Sequence, residues 1–187
     1  MKKLATLAFT AFVASAIFQT AFAEDPVSPV PGAVCNLYKL PYWGGLERFI
    51  EISSTLANQP AVATFVDSAS DFLPYKKKDN VESNIGMWTG WLKQEKAGTY
   101  TFLCQQLNNG SSNIYLIWIN GKKCVEGGVG QTSFNVDLDA GFNSVKIIAG
   151  NAGHSGKNPL SITYKKAGSL KEPVSFGPEN MFYEDEE

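Results

Sequence analysis

The sequence predicts an all-β fold, an antiparallel two-layer β-sandwich with short irregular or helical crossovers. The first observation behind this prediction is a period of two, with apolar and polar residues alternating in segments such as 133–138, SFNVDL. The second is that turn residues, among them Asn120-Gly121 and Ala140-Gly141, separate these segments at short intervals. Many short strands at such spacing are typical of sandwiches and barrels.

Six segments are predicted as strands, in chain order 86–94, 99–106, 113–120, 133–138, 143–150 and 160–166. The alternation places Tyr100 and Phe102 on the core face of the second of these strands. It places Phe134, Val136 and Leu138 on the core face of the fourth. The third strand is apolar on both faces, which is typical of a central strand.

Two connections also have a predicted structure. Because Asn and Gly both adopt positive φ readily, the Asn120-Gly121 dipeptide predicts a tight hairpin within IWINGKKCV. The segment 46–57, LERFIEISSTLA, fits the spacing of a helix only in part. A short helix or an irregular crossover is therefore predicted there.

Residues 1–23 are predicted to be a cleaved secretory signal peptide. Two lysines are followed by an apolar stretch that is too short to span a membrane, and then by Ala21-Phe22-Ala23, whose small residues suit signal peptidase. The rest of the chain is predicted to comprise a Pro-rich extended leader at 24–33, a single β-sandwich domain at 34–182 and an acidic tail at 183–187. The protein is expected to be exported to the periplasm, the cell surface or the medium.

The charge balance argues against two kinds of partner. The sequence has 16 Lys and Arg against 18 Asp and Glu, and the predicted cleavage removes two of the lysines. A nucleic-acid-binding protein needs a basic face to neutralise phosphates, so this acidic chain is not expected to be one. The same acidic balance argues against simple attraction to an anionic membrane surface. No segment after the signal is apolar enough to cross a membrane.

The three cysteines are Cys35, Cys104 and Cys124. An exported protein with three cysteines is expected to form one disulfide and to leave one thiol over. Cys104 and Cys124 lie near the ends of neighbouring strand segments, so a disulfide between them is the preferred prediction, and it would enclose the polar loop between the strands. A disulfide from Cys35 to either partner, or three buried thiols, remain alternatives.

Few residues could carry catalysis. His154 is the one histidine, which excludes sites with several histidines, and it lies in a Gly-rich stretch that does not suit a Ser-His-Asp triad. No pair of carboxylates stands out as suited to glycoside cleavage, and no phosphate-binding Gly loop or nucleophile elbow is present. The chain is therefore predicted not to be an enzyme.

The order of several short motifs resembles a known family. These motifs are Gly45-Leu46-Glu47, Trp88-Thr89-Gly90-Trp91-Leu92, Ala97-Gly98-Thr99-Tyr100-Thr101-Phe102, Ile117-Trp118-Ile119-Asn120-Gly121, Leu138-Asp139-Ala140-Gly141 through Val145-Lys146-Ile147, and Gly177 through Tyr183. Together they resemble the protective-antigen-type β-sandwich domain, which is shared by anthrax protective antigen, many glycosidases and the GLEYA-type yeast adhesins. Each motif is a plain turn or strand, and the similarity rests on their order and spacing.

The resemblance implies a binding site in the loop that precedes the apolar strand. In lectin members of the family, two aspartates before a glycine help to hold calcium, which then binds sugar hydroxyls. The corresponding residues here are Asn108 and Asn109, and Asn120 replaces the aspartate that is usual before the hairpin glycine. Amides bring no negative charge, so a calcium cofactor is possible but not expected.

Amide and hydroxyl groups in two polar loops could still recognise a sugar without a metal, because they offer both hydrogen-bond donors and acceptors. The resemblance implies that the loops at 107–113 and 150–156 lie close together. The candidate ligand-binding residues are Asn108, Asn109, Ser111, Asn113, Asn151 and His154. Solvated turns with no ligand are the alternative, since Gly, Asn and Ser are the usual turn residues.

Two functions are therefore considered. The first is an exported, non-enzymatic, adhesin-like protein of a bacterial cell surface that recognises a carbohydrate or a glycoprotein. The second is a periplasmic or cell-surface structural subunit that binds a protein partner in an export or surface assembly and has no sugar site. In the second, the leader or the acidic tail would dock the partner.

Overall fold

The fold was analysed in a computed structural model, which describes residues 25–40, 45–74, 77–78, 81–106, 113–127, 131–151 and 159–185. The predicted signal peptide at 1–23 lies outside these ranges. The described residues contain one α-helix, α1 (Leu46–Thr55), which is followed by a short 3-10 helix (Leu56–Asn58). No helix in the described part of the chain is long and apolar enough to cross a membrane.

The rest of the regular structure is β. In chain order the strands are β1 (Pro29–Pro31), β2 (Ala33–Tyr38), β3 (Ala63–Asp67), β4 (Lys77–Lys78), β5 (Val81–Glu82), β6 (Ile85–Gln94), β7 (Gly98–Gln106), β8 (Asn113–Ile119), β9 (Lys122–Gly127), β10 (Gln131–Leu138), β11 (Gly141–Asn151), β12 (Leu160–Lys166), β13 (Val174–Phe176) and β14 (Met181–Glu184). A second 3-10 helix, Pro178–Asn180, precedes β14. All six predicted strands are present, with ends within two residues of the prediction.

The strands form two principal sheets whose pairings are all antiparallel. The large sheet has the order β1-β14-β6-β11-β8-β9, and β2 joins it by pairing with both β6 and β3. The small sheet has the order β10-β7-β12-β13, and β4 and β5 form a separate short ribbon. The prediction of an all-β, two-layer antiparallel sandwich is confirmed.

The core lies between the two sheets. Trp88 is fully buried there, and its indole nitrogen donates a hydrogen bond to Asp67 Oδ2 at 2.9 Å. Tyr100 and Phe102 are buried on the inner face of β7, as predicted. Leu138 on β10 is buried as well, and two partly buried β10 side chains, Phe134 and Val136, pack against the core. Trp88 therefore fills part of the core between the two sheets.

Helix α1 covers part of the outer face of the large sheet. Phe49 of α1 and Leu56 just beyond it are fully buried in a second apolar cluster. Outward-facing residues of β6, β8 and β11 complete the cluster, among them Met87, Leu116 and Ile148. This packing explains why the segment 113–120 is apolar on both faces, because one face meets the core and the other meets α1.

The β8–β9 hairpin turns at the predicted dipeptide. Asn120 has φ 49° and Gly121 has φ 73°, as a tight turn with two positive φ angles requires. The Asn120 side chain also braces the turn. Its Nδ2 donates to Asn143 Oδ1, and its Oδ1 accepts from the backbone N–H of Ser144, both at 2.9 Å. The predicted hairpin is confirmed.

Strands β1 and β14, near the two ends of the described residues, both belong to the large sheet, and β1 and the end of β14 lie outside the range 34–182 predicted for the sandwich domain. Strand β1 lies within the predicted leader and pairs with β14, so that Pro29 faces Glu184 and Val30 faces Tyr183. Proline cannot donate a ladder hydrogen bond, which restricts it to edge positions such as β1. These strands could not be predicted from the composition of the leader and the tail, because each strand is stabilised by pairing with a segment far away in the sequence.

The predicted disulfide between Cys104 and Cys124 is not formed, and none of the three cysteines, all of them described, is bridged. Cys104 lies on β7, while β10 separates β7 from β9, which carries Cys124. Cys124 is the extra residue where the β8–β9 register shifts between Ile117 and Trp118. Its thiol instead donates to Lys122 O at 3.3 Å. Cys104 and Cys124 lie on strand segments that are neighbours in the sequence, but β7 and β9 belong to different sheets, so the two sulfur atoms are not bonded.

Candidate functional site

The candidate site of the sequence analysis lies at one end of the sandwich, which we call the loop end. It is defined by the strand positions Gln106, Asn113, Asn151 and Leu160. In the small sheet the last residue of β7, Gln106, faces the first residue of β12, Leu160. In the large sheet the first residue of β8, Asn113, faces the last residue of β11, Asn151. The segments 107–112 and 152–158 therefore connect strands that end side by side.

A third connection meets the same end. Gly127 at the end of β9 faces Tyr115, and Gln131 at the start of β10 faces Gln105. The segment 128–130 therefore also starts and finishes at the loop end. The antiparallel register thus gathers three connections, and the two polar ones carry predicted ligand-binding residues.

The structure places only part of the predicted site. Asn113 and Asn151 are directly paired on neighbouring strands, which brings their backbones together. Asn108, Asn109, Ser111 and His154 lie outside the described residues, so their assignment as ligand-binding residues remains a prediction.

Beneath the loop end the core is apolar and uncharged. Tyr115 and Cys104 are both fully buried on inner strand faces close to this end. Burial raises the pKa of Tyr115, and it raises the pKa of Cys104 to about 12. Both groups are therefore neutral at physiological pH. These two buried side chains therefore offer no charge to the loop end.

The donor set does not fit the calcium site that the family resemblance implies. Asn108 and Asn109 supply amide oxygens where the lectin members supply carboxylates. Asn120 lies after the last residue of β8, at the opposite end of that strand from the loop end, and both ends of its amide are hydrogen-bonded. Among the described residues, no three His, Cys, Asp or Glu side chains cluster to hold a metal.

A second concave surface, the helix groove, lies on the outer face of the large sheet beside α1. It is a cavity of about 580 Å³. Its lining includes Ser53, Thr89, Trp118, Ser144 and Lys146. The sequence analysis did not predict these residues as a site. Trp118 could have indicated this surface from the sequence, because it lies on a strand that is apolar on both faces and it alternates with residues that face the core.

No protein-family model matches the chain, and no curated protein does. Solved structures do match. An anti-sigma factor domain-containing protein aligns with TM-score 0.57 and 18% identity over 86% of this chain, which spans 50% of that protein's chain.

Two other matches cover whole domains. The PA14 sugar-binding domain from an RTX adhesin aligns with TM-score 0.61 and 20% identity over 82% of this chain and 99% of its own. The A domain of epithelial adhesin 6 from Candida glabrata, solved in complex with Galβ1-3GlcNAc, aligns with TM-score 0.57 and 16% identity over 87% of this chain and 91% of its own. At these identities the similarity is one of fold, and the chain has the β-sandwich fold of PA14 and epithelial adhesin A domains.

Proposed function

We propose that this chain is an exported, non-enzymatic binding module that recognises a carbohydrate or the glycan of a glycoprotein at its loop end. The observation that carries the proposal is the register of the strand ends. Gln106 faces Leu160 in one sheet and Asn113 faces Asn151 in the other, so the Asn- and Ser-rich connection at 107–112 and the polar, Gly-containing connection at 152–158 leave from one edge of the sandwich. The fold is shared with domains that are described as sugar-binding or were solved with a bound sugar.

The chemistry of the candidate residues suits neutral sugar hydroxyls. An amide side chain donates two hydrogen bonds and accepts through its oxygen, so it can contact two neighbouring hydroxyls at once. Each such bond between neutral groups contributes about 0.5–1.5 kcal/mol net, so recognition needs several of them acting together. The residues proposed to supply them are Asn108, Asn109, Ser111, Asn113, Asn151 and His154.

The test is a glycan array probed with the mature protein, followed by titration calorimetry on the sugars that bind. The double variant Asn108→Ala/Asn109→Ala should lose at least about tenfold in affinity, as expected when two or more hydrogen bonds are removed. Asn135→Ala is the matched control. Asn135 is an exposed amide on β10 that bonds only to Thr101 Oγ1 among the described residues, so its removal should leave affinity unchanged.

Two outcomes would contradict the proposal. One is an array with no glycan bound by a protein that is folded by circular dichroism. The other is a bound glycan whose affinity is the same for the double variant and the wild type.

The alternative of a subunit that docks a protein through its leader or tail is less well supported. Both segments are engaged with each other, since Pro29–Pro31 pairs with β14. The outer edge of β1 carries two prolines, which makes it a poor template for a partner strand. A crosslinking pull-down that recovers one stoichiometric protein, and loses it on removal of residues 183–187, would favour this alternative.

A further inference from the structure

The helix groove is separate from the loop end. Trp118 lies five positions after Asn113 along β8, and an antiparallel strand rises about 3.4 Å per residue, so the two sites are about 17 Å apart along this strand. Helix α1 covers the outer face between them through Phe49 and the residues that it contacts. The cavity of about 580 Å³ is in the size range of small-molecule sites.

The groove contains a lysine that is not neutralised. Lys146 Nζ lies 4.5 Å from the centroid of the Trp118 ring, and the side chain is half-buried. Burial lowers the pKa of Lys146, because a low-dielectric environment disfavours the ammonium form. Within the described part of the chain, no acidic side chain lines the cavity and Lys146 forms no ion pair with a carboxylate. Lys123, the other lining cation, is paired with Glu126 at 3.0 Å.

Hydroxyl groups surround this charge. Ser53, Thr89 and Ser144 line the cavity and are each more than nine-tenths buried. Ser53 Oγ has no hydrogen-bond partner among the residues that the structure describes. Buried polar groups are nearly always bonded in folded proteins, so this hydroxyl lacks a partner that a ligand could supply.

The rest of the lining is mainly apolar, with Ser54 and Asn58 as its further polar residues. The Trp118 ring and the Met87 and Leu116 side chains form this part of the wall. One ammonium group among hydroxyls and apolar surface suits a ligand with a single negative charge, several hydroxyls and a C–H-rich face. A phosphate dianion would leave the apolar wall uncovered, and it would meet only one unpaired cation.

We propose that the helix groove binds a sugar acid of the hexuronate class. Its carboxylate pairs with Lys146 Nζ, its hydroxyls bond to Ser53 and Ser144, and its ring packs against Trp118. This site does not depend on the proposed function of the loop end.

The test is calorimetric titration of the purified protein with sodium D-glucuronate, D-glucose and sodium acetate at low ionic strength. Saturable 1:1 binding of glucuronate is expected, with glucose and acetate at least about tenfold weaker, since a charge-assisted hydrogen bond contributes a factor of this order or more. Lys146→Met keeps most of the apolar stem and should weaken glucuronate binding at least about tenfold. Lys93→Met is the matched control, because Lys93 lies over the Phe142 ring at 5.3 Å outside the groove, and it should leave the affinity unchanged.

Ser53→Ala provides a second variant whose folding is not in question. Removing an unpaired buried hydroxyl should leave the unfolding midpoint at or above that of the wild type, while glucuronate affinity falls. Asn108→Ala/Asn109→Ala should keep the wild-type affinity for glucuronate, which separates this site from the loop end.

Four outcomes would overturn the proposal. They are no saturable binding of glucuronate, equal affinity for glucose or for acetate, unchanged affinity in both Lys146→Met and Ser53→Ala, and loss of glucuronate binding in the loop double variant.

Discussion

At the scale of single residues, Asn143 shows how one side chain can hold two turns together. It is fully buried, and its Oδ1 accepts hydrogen bonds from Asn120 Nδ2 and from the backbone N–H of Asp139, both at 2.9 Å. Its Nδ2 donates to Asp139 O at the same distance. The β8–β9 hairpin and the β10–β11 turn are therefore fixed by one amide.

Asn143→Ala should lower the free energy of unfolding by about 2–4 kcal/mol, because it removes three hydrogen bonds made by a fully buried side chain. Asn135→Ala, on an exposed face with one bond to Thr101, should cost less than about 1 kcal/mol. Urea denaturation of both variants measures the difference. Equal losses would show that the buried amide does not brace the turns.

Cys104 links stability to pH. Burial raises its pKa from 9.0 to about 12, so the folded protein keeps the proton that the unfolded chain releases. The stabilisation is complete below the unfolded pKa and is lost as the pH rises from about 9 towards about 12, amounting to about 4 kcal/mol over the full range.

Urea denaturation at about pH 7.5 and about pH 10.5 tests this linkage, which predicts a loss of about 2 kcal/mol from this thiol at the higher pH. At the lower pH, Cys104→Ala should be less stable than the wild type because it loses packing contacts. Between the two pH values, however, it should lose less stability than the wild type does. If the variant and the wild type lose the same stability between the two pH values, the loss of stability at alkaline pH is due to other groups.

At the scale of elements, strands with a clear alternation were predictable and strands defined by their partners were not. The segment 133–138 shows its core face through Phe134, Val136 and Leu138 alone. Strands β1 and β14 show no such pattern, because they are only three and four residues long and form by pairing with each other. Helix α1 was only partly predictable, since Phe49 and Leu56 pack on the outside of a sheet that local spacing does not reveal.

The contact between β6 and β14 depends on a glycine. A Cβ added at Gly90 would lie 2.5 Å from the backbone oxygen of Phe182. Gly90→Ala should lower the free energy of unfolding by about 3 kcal/mol, the upper part of the usual range for overpacking, since a backbone oxygen cannot rotate away.

Gly168→Ala is the control for Gly90→Ala. Gly168 has φ 74° and no atom within 4 Å of an added Cβ, so the change should cost only the backbone strain of about 1 kcal/mol. Thermal or urea unfolding ranks the two variants. A larger loss in Gly168→Ala would mean that β14 shifts to relieve the contact.

At the scale of the whole molecule, the fold was more predictable than the sites. The turn residues and the alternation of apolar and polar residues predicted the two-layer sandwich. In the structure, the antiparallel register places the strand ends that flank 107–112 and 152–158 at one end of it. The chemistry of those segments was ambiguous, because Asn, Ser and Gly serve turns and ligands alike. The helix groove was not predictable, since Ser53 and Lys146 become neighbours only when α1 docks on the sheet.

The acidic residues missing from the loop give a prediction for the whole protein. Calcium in place of a chelator should shift the unfolding temperature of the wild type by less than about 1 °C, because a cation that does not bind the native state cannot stabilise it. Asn108→Asp/Asn109→Asp restores two carboxylates and should gain a calcium-dependent rise. A calcium-dependent rise in the wild type would show that amide ligands suffice.

The pairing of β1 with β14 sets where the polypeptide enters and leaves this unit. Pro29 and Glu184 face each other across one ladder, and neighbouring strands lie about 4.8 Å apart. A host protein could therefore carry the sandwich as an insert in a surface loop without its own flanking residues moving apart. For the same reason a few added residues could join the two ends, and a circular permutant could then be opened at the exposed turn around Gly168.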